Sequence, residues 1–300
     1  YHFILIAKDA IGHKQLRILS SLAWNNSYVD RRLERVPTLK SDLEEIILKE
    51  PGHLIATTAC LGGELSSLTL ELLKARQIND FVAEKQKYDK IINFLKMCQF
   101  FFKEDFYIEL QSSTLDDVIK VNKDLLEIAK EYNIPYIITN DVHYVEHDDY
   151  DIQEVLLCVQ QKKKMADPKR WKFEVNDYWL KSEEEIKEYM PYLKEENFQT
   201  AFLNIEEITE KCKNVNFERG NYLPKWHDKS GLTENECLEK EVWSNYLTRI
   251  KERNECNEQF TADLNKEIRV IEEEGYAGYF MIVQEYIMWA KNNGILVGDG

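Results

Sequence analysis

Residues 134–147 read IPYIITNDVHYVEH, and this stretch decides the fold. The run 134–139 is apolar and β-branched, the composition of a fully buried strand. The apolar pattern stops at Asn140. Asp141 and His143 follow at i and i+2, so both side chains leave one side of an extended backbone. In sheets wrapped by helices, ligands bind just beyond the carboxyl ends of the strands, which is where this carboxylate and imidazole fall. Taken alone, Asp-x-His is more often a turn with a hydrogen-bonded histidine. The neighbouring sequence has to decide.

Working backwards, residues 106–110 read as another strand. Ser112-Ser113-Thr114 offers a helix N-cap, and Asp116 and Asp117 suit a first turn. Val118, Val121, Leu125, Ile128 and Ala129 then form an apolar stripe, and Asn133 can end the helix in a left-handed conformation. The result is a strand–helix–strand unit with parallel strands and a right-handed crossover. Residues 1–7 (YHFILIA) form a strand that Gly12 is expected to break, ahead of a helix over 14–22. A short helix over 43–49 ends at Pro51-Gly52, and 53–59 (HLIATTA) is a strand running into Cys60-Leu61-Gly62-Gly63-Glu64. Cys60 can be a thiolate ligand for a soft metal or simply a small buried residue. His2 can be a ligand or an ordinary edge histidine. Residues 65–99 read as helix. Repeated units of this kind predict an α/β barrel or a doubly wound sheet.

Beyond His143, the acidic run at 146–151 reads as a metal-ligating or, more often, a solvated loop. A helix spans 151–160, and Lys162-Lys163-Lys164 reads as a solvated basic run. Ser182 and Glu185 make a capping box, and 198–212 is helical. Composition shifts between 214 and 226, which places a domain boundary between 216 and 217, giving domains 1–216 and 217–300. Helices are expected over 233–253, 261–274 and 281–291, and a strand over 295–297. That strand feeds Gly298-Asp299-Gly300, where paired glycines free backbone amides to cradle a phosphate or make a plain turn.

The net charge of −15 argues against a surface that binds nucleic acid over its whole extent, while leaving room for a local basic groove. Six scattered cysteines without Cys-x-x-Cys suggest reduced thiols and a cytoplasmic setting. No apolar run approaches the roughly 20 residues of a membrane helix. Tyr1 lies inside an apolar run and Gly300 inside a turn, so both ends read as cut from a longer chain.

Taken in order, several segments resemble the α subunit of bacterial replicative DNA polymerase III, the C-family polymerases. Residues 1–8 (YHFILIAK), Leu16, Leu19-Ser20-Ser21, 58–64 (TACLGGE), 106–111 (FYIELQ) and 139–144 (TNDVHY) are similar to its PHP (polymerase and histidinol phosphatase) domain. Residues 167–170 (DPKR) and 180–185 (LKSEEE) match the adjoining stretch of that subunit. Gly275-Tyr276, Gly278-Tyr279-Phe280, Ile282-Val283 and Val297-Gly298 resemble the entry to the polymerase palm. The resemblance implies a distorted PHP-type (β/α) barrel followed by a largely helical palm entry. It puts His2, Cys60, Asp141 and His143 on metal-ligand positions, suited to zinc or manganese, with 3′–5′ exonuclease activity in some members and a structural role in others. The family's earlier His-x-His and Asp-His motifs are expected before Tyr1. Gly298 and Gly300 match the first two glycines of a nucleotide-phosphate loop, in which Asp299 replaces a proline. The catalytic carboxylates for two magnesium ions are expected after Gly300, so the chain by itself is not expected to polymerise. Implied partners are primed DNA template, deoxynucleoside triphosphates, a sliding clamp and a proofreading exonuclease subunit. The alternatives are a freestanding PHP phosphoesterase and a non-catalytic scaffold that docks the exonuclease.

Overall fold

The structure is a computed structural model that describes all residues except 31–32, 216–219, 221, 228–230, 250–257 and 299–300. It is mixed α/β and divides into two compact units, Tyr1–Phe217 and Glu218–Gly300. In chain order, the first unit contains β1 (Ile4–Ala7), α1 (Ala10–Asn25), β2 (Tyr28–Asp30), β3 (Leu33–Arg35), α2 (Lys40–Lys49) and β4 (Leu54–Thr57). It continues with α3 (Glu64–Gln77), α4 (Phe81–Phe102), β5 (Phe106–Gln111), α5 (Asp116–Glu131), β6 (Tyr136–Thr139), α6 (Tyr150–Gln161), α7 (Glu183–Tyr189) and α8 (Glu195–Cys212).

One sheet organises this unit, in the order β1-β4-β5-β6. β4, β5 and β6 run parallel, and β1 is antiparallel to β4 with Ile4 opposite Thr57. Reversal of β1 brings its start to the rim where the other three strands end. The expected α/β unit around α5 is present, with Asn133 at φ +50° after the helix. Among the described residues the strands form this open row rather than a closed barrel. β6 is one of its two ends, and α8 covers it: Asn204 Nδ2 donates to the Tyr136 carbonyl at 2.7 Å. β2 and β3 make a separate small antiparallel ribbon.

Side chains alternate across the sheet, as strand geometry requires. Ala56, Phe106, Ile108, Leu110 and Ile138 enter the main core with α2, α3, α4 and α5. Ile55, Tyr107 and Ile137 face the other way and pack with Ile205, Ile208 and Cys212 of α8. Both faces of β5 are therefore buried, which explains its near-continuous apolar reading.

Several sequence expectations are corrected. Gly12 does not stop β1. Asp9 caps α1, its Oδ1 accepting from the Gly12 amide at 2.9 Å, and Gly12 lies in the first helical turn. The stretch 65–99 is two helices, because Asp80 opens α4 by accepting from the Ala83 amide. The hydroxyls of 112–114 do not cap α5. Its N-cap position is Leu115, without a side-chain cap, while Ser113 and Thr114 turn to Asp177.

The second unit holds α9 (Glu234–Arg249), α10 (Glu258–Glu273) and α11 (Ala277–Asn292). Its small core joins Cys237 and Leu238 to Ala277 and Met281, flanked by Trp226, Val242 and Ile271. Gly278 lies where α11 meets the start of α9, and a Cβ there would come 2.4 Å from Glu234 Oε1, the end of a side chain that can swing aside. Residues 295–297 are not a strand: Leu296 is 99% exposed, and no neighbouring strand pairs with them among the described residues.

Candidate functional site at the sheet rim

The rim reached by the ends of β4, β5 and β6 and the start of β1 gathers the polar residues. After β4 the chain turns sharply, with Ala59 in the left-handed region at φ +58°. The Gly63 amide closes the turn on the Cys60 carbonyl at 2.8 Å. A Cβ on Gly63 would meet the Thr58 carbonyl oxygen at 2.2 Å, so only glycine fits. His2 joins the same turn. Its amide donates to the Gly62 carbonyl at 3.0 Å, and its Nδ1 lies 3.2 Å from Cys60 Sγ. Burial pushes the Cys60 thiol up, against the Gly62 amide that favours the thiolate; the charges of Asp141 and Glu109 push it further up.

After β6, Asn140 is fixed from both sides. It accepts from Ser112 Oγ at 2.9 Å and donates to the Lys181 carbonyl at 3.1 Å. Asp141 Oδ1 lies 3.4 Å from His143 Nε2, with both side chains about two-fifths exposed. The His143 amide donates to the Tyr178 carbonyl at 2.8 Å, and its ring contacts Phe173 and Tyr178 at centroid distances of 4.8 and 5.5 Å. Burial is the largest of the causes that push the Tyr178 hydroxyl up to about 12, with the charges of Asp177, Asp141 and Glu174 adding to it.

Two buried carboxylates at this rim were not singled out in the sequence. Glu109 sits in β5 and bridges its neighbours, accepting from Thr57 Oγ1 at 2.5 Å and Thr139 Oγ1 at 2.6 Å. The Glu109 amide donates to Thr58 Oγ1 at 2.9 Å. A lone glutamate inside an apolar strand was the available signal. Asp177, only 2% exposed, accepts from the Thr114 amide at 2.5 Å, Thr114 Oγ1 at 2.8 Å and Ser113 Oγ at 3.2 Å. Nothing in its own neighbourhood of sequence marks it, because its partners lie more than 60 positions away.

The sequence-derived candidates thus form two pairs, His2 with Cys60 and Asp141 with His143, and the Cys60 thiol feels the Asp141 charge. Imidazole, thiolate and carboxylate are the donor types that suit zinc or manganese. Among the described residues, no group of three or more His, Cys, Asp or Glu side chains is gathered closely enough to hold a metal ion. Gly298 belongs to the second unit and is exposed, with open space where a Cβ would stand; Asp299 and Gly300 lie outside the described residues. No helix among the described residues is long and apolar enough to cross a membrane.

Residues 236–300 match the family described as the bacterial DNA polymerase III alpha NTPase domain. The chain is 37% identical to the probable DNA polymerase YorL of Bacillus subtilis, over 75% of its own length and 17% of that protein's. The same figures hold for a DNA-directed DNA polymerase of Bacillus phage SPbeta. It is 31% identical to the DNA polymerase III subunit alpha of Treponema pallidum over its full length, which is 23% of that subunit. The chain spans less than a quarter of the length of these relatives.

Proposed function

Because the chain belongs to the bacterial DNA polymerase III alpha family, we propose that the longer protein it represents extends a primer 3′ end on template DNA from deoxynucleoside triphosphates. The observation that carries this reading is similarity along the whole chain to a polymerase III alpha subunit. Magnesium would serve polymerisation, which here means positioning the primer hydroxyl and stabilising the pyrophosphate leaving group. The expected setting is the cytoplasm, with a sliding clamp and a proofreading exonuclease subunit as partners. Primer extension with magnesium by the full-length protein is the test. Extension is expected from the full-length protein and not from residues 1–300 alone. A full-length protein that folds, binds primed DNA and adds no nucleotide would overturn the reading.

Within it, the first unit is a PHP domain and the second the entry to the palm. His2, Cys60, Asp141 and His143 are the proposed metal ligands, with zinc or manganese as the ion and a 3′–5′ exonuclease as the proposed activity. A bound ion would lower the pKa of a water for attack on a phosphodiester. This chain's own residues supply the donors and their orientation. The Gly62 carbonyl holds the His2 backbone, and the Tyr178 carbonyl holds that of His143. The donors meet in pairs, so the chain offers two half-sites rather than a closed cage. Metal analysis of the full-length protein should show bound ion that falls in Cys60→Ser and His143→Ala variants. Equal, near-zero occupancy in all three would remove the metal site while leaving the polymerase reading intact. Gly298 and Gly300 are proposed to begin the nucleotide-phosphate loop.

A further inference from the structure

Residues 162–172, KKKMADPKRWK, carry six cations and one carboxylate in a chain whose net charge is −15. This segment follows α6 and is shaped by its own hydrogen bonds. Lys162 turns the chain in the left-handed region, and the Lys163 amide donates back to the Cys158 carbonyl at 2.9 Å. Arg170 reaches inward to Glu154 at 2.5 Å, and Lys163 pairs with Asp167 at 2.9 Å. Gln161 closes the neck of the loop by bonding both ways with the Trp171 backbone, accepting from its amide at 2.7 Å and donating to its carbonyl at 2.8 Å.

Four lysines remain on the outside. Lys162, Lys164, Lys169 and Lys172 are exposed and have no carboxylate partner among the described residues. Between them stands Trp171, whose backbone is clamped while its side chain is 57% exposed. Its ring meets Phe173 edge-on at 5.0 Å, and Phe173 meets His143 at 4.8 Å. An aromatic relay therefore runs from solvent to the Asp141–His143 pair. Asp141 and Glu174 lie around Tyr178 at its inner end, so the cationic surface belongs to the outer loop.

An exposed indole on a clamped backbone, among unpaired lysines, fits one class of partner. Bases stack on a flat ring regardless of sequence, and the adjoining phosphates take up the lysines. We propose that this loop is a binding site for single-stranded DNA that leads a strand towards His143. The choice of DNA rests on the polymerase-family reading; the binding itself rests on the loop and needs no metal.

The test is fluorescence anisotropy of a labelled oligo(dT) with the 300-residue chain, in buffer containing EDTA across a salt series. EDTA separates this site from the proposed metal ligands, so either can fail without the other. Wild type should bind oligo(dT) and prefer it to duplex of equal length. Trp171→Ala should weaken binding by roughly 5- to 150-fold, the range for losing one base stack. The triple variant Lys162→Gln, Lys164→Gln, Lys169→Gln should flatten the slope of log affinity against log salt by about 2, at roughly 0.7 per phosphate contact. Replacing Lys85 and Lys96 on α4 with Gln should change neither. Circular dichroism checks that each variant is folded. No binding by wild type, equal affinity for duplex, or folded loop variants that bind like wild type would overturn the proposal.

Discussion

Cys60 shows how its surroundings set the chemistry of one side chain. Burial raises its pKa, and the Asp141 and Glu109 charges raise it further, so the neutral thiol is favoured in the folded protein. An ion taking the thiolate would first have to displace that proton. Removing the Asp141 charge should shift the balance. Asp141→Asn is expected to speed alkylation of Cys60 by iodoacetamide near pH 8 by a few-fold, since the thiolate is the nucleophile. Peptide mass mapping resolves Cys60 from the other cysteines, and an unchanged rate would mean that the two groups do not interact. The sequence made Cys60 and His143 visible because a reactive residue type followed an apolar strand. It did not make Glu109 visible as a bridge, since its hydroxyl partners come from two other strands.

Among the elements, the start of α5 differs most instructively from its sequence pattern. Ser, Ser and Thr before two aspartates make a strong local cap signal, yet the N-cap position is Leu115 without a side-chain cap. In the structure a buried carboxylate from a distant segment takes the Ser113 and Thr114 hydroxyls. The Ser113 hydroxyl donates to that carboxylate and accepts from the Leu115 amide at 3.1 Å, so the strong bond to a charged group fixes it just ahead of α5, whose first turn has no side-chain cap. Asp177 thereby ties the segment behind His143 to the loop after β5. Asp177→Ala should destabilise the protein by about 2 kcal/mol, read as a lower urea midpoint with an unchanged slope. An unaltered midpoint would show that the tie contributes nothing. By contrast, Ser182 and Glu185 form both bonds of the box expected of them, where no rival acceptor intrudes. The parallel pairing of β5 and β6 was legible for a similar reason, since its signals are local. The antiparallel sense of β1 was not, because strand direction within a sheet leaves no mark on composition.

Over the whole molecule, each unit builds its core from its own residues. The two clusters around the sheet draw on residues no later than Cys212, and the small helical core on residues from Trp226 onward. Residues 1–217 expressed alone should therefore keep their helical circular dichroism and melt in one cooperative step. A molten, non-cooperative product would show that the sheet unit needs the helical unit in order to fold. The second unit, with four buried apolar residues in its core, is expected to be marginal by itself.

The reversed strand β1 has a consequence for anyone wishing to move this rim into another protein. A pocket made by one loop can be transplanted as one piece. Here four separate passes of the chain each contribute a corner, and one of them arrives head-first while the others arrive tail-first. A graft would have to reproduce that mixed polarity along with the side chains, so an all-parallel host with every residue copied would still put His2 at the wrong end of the sheet.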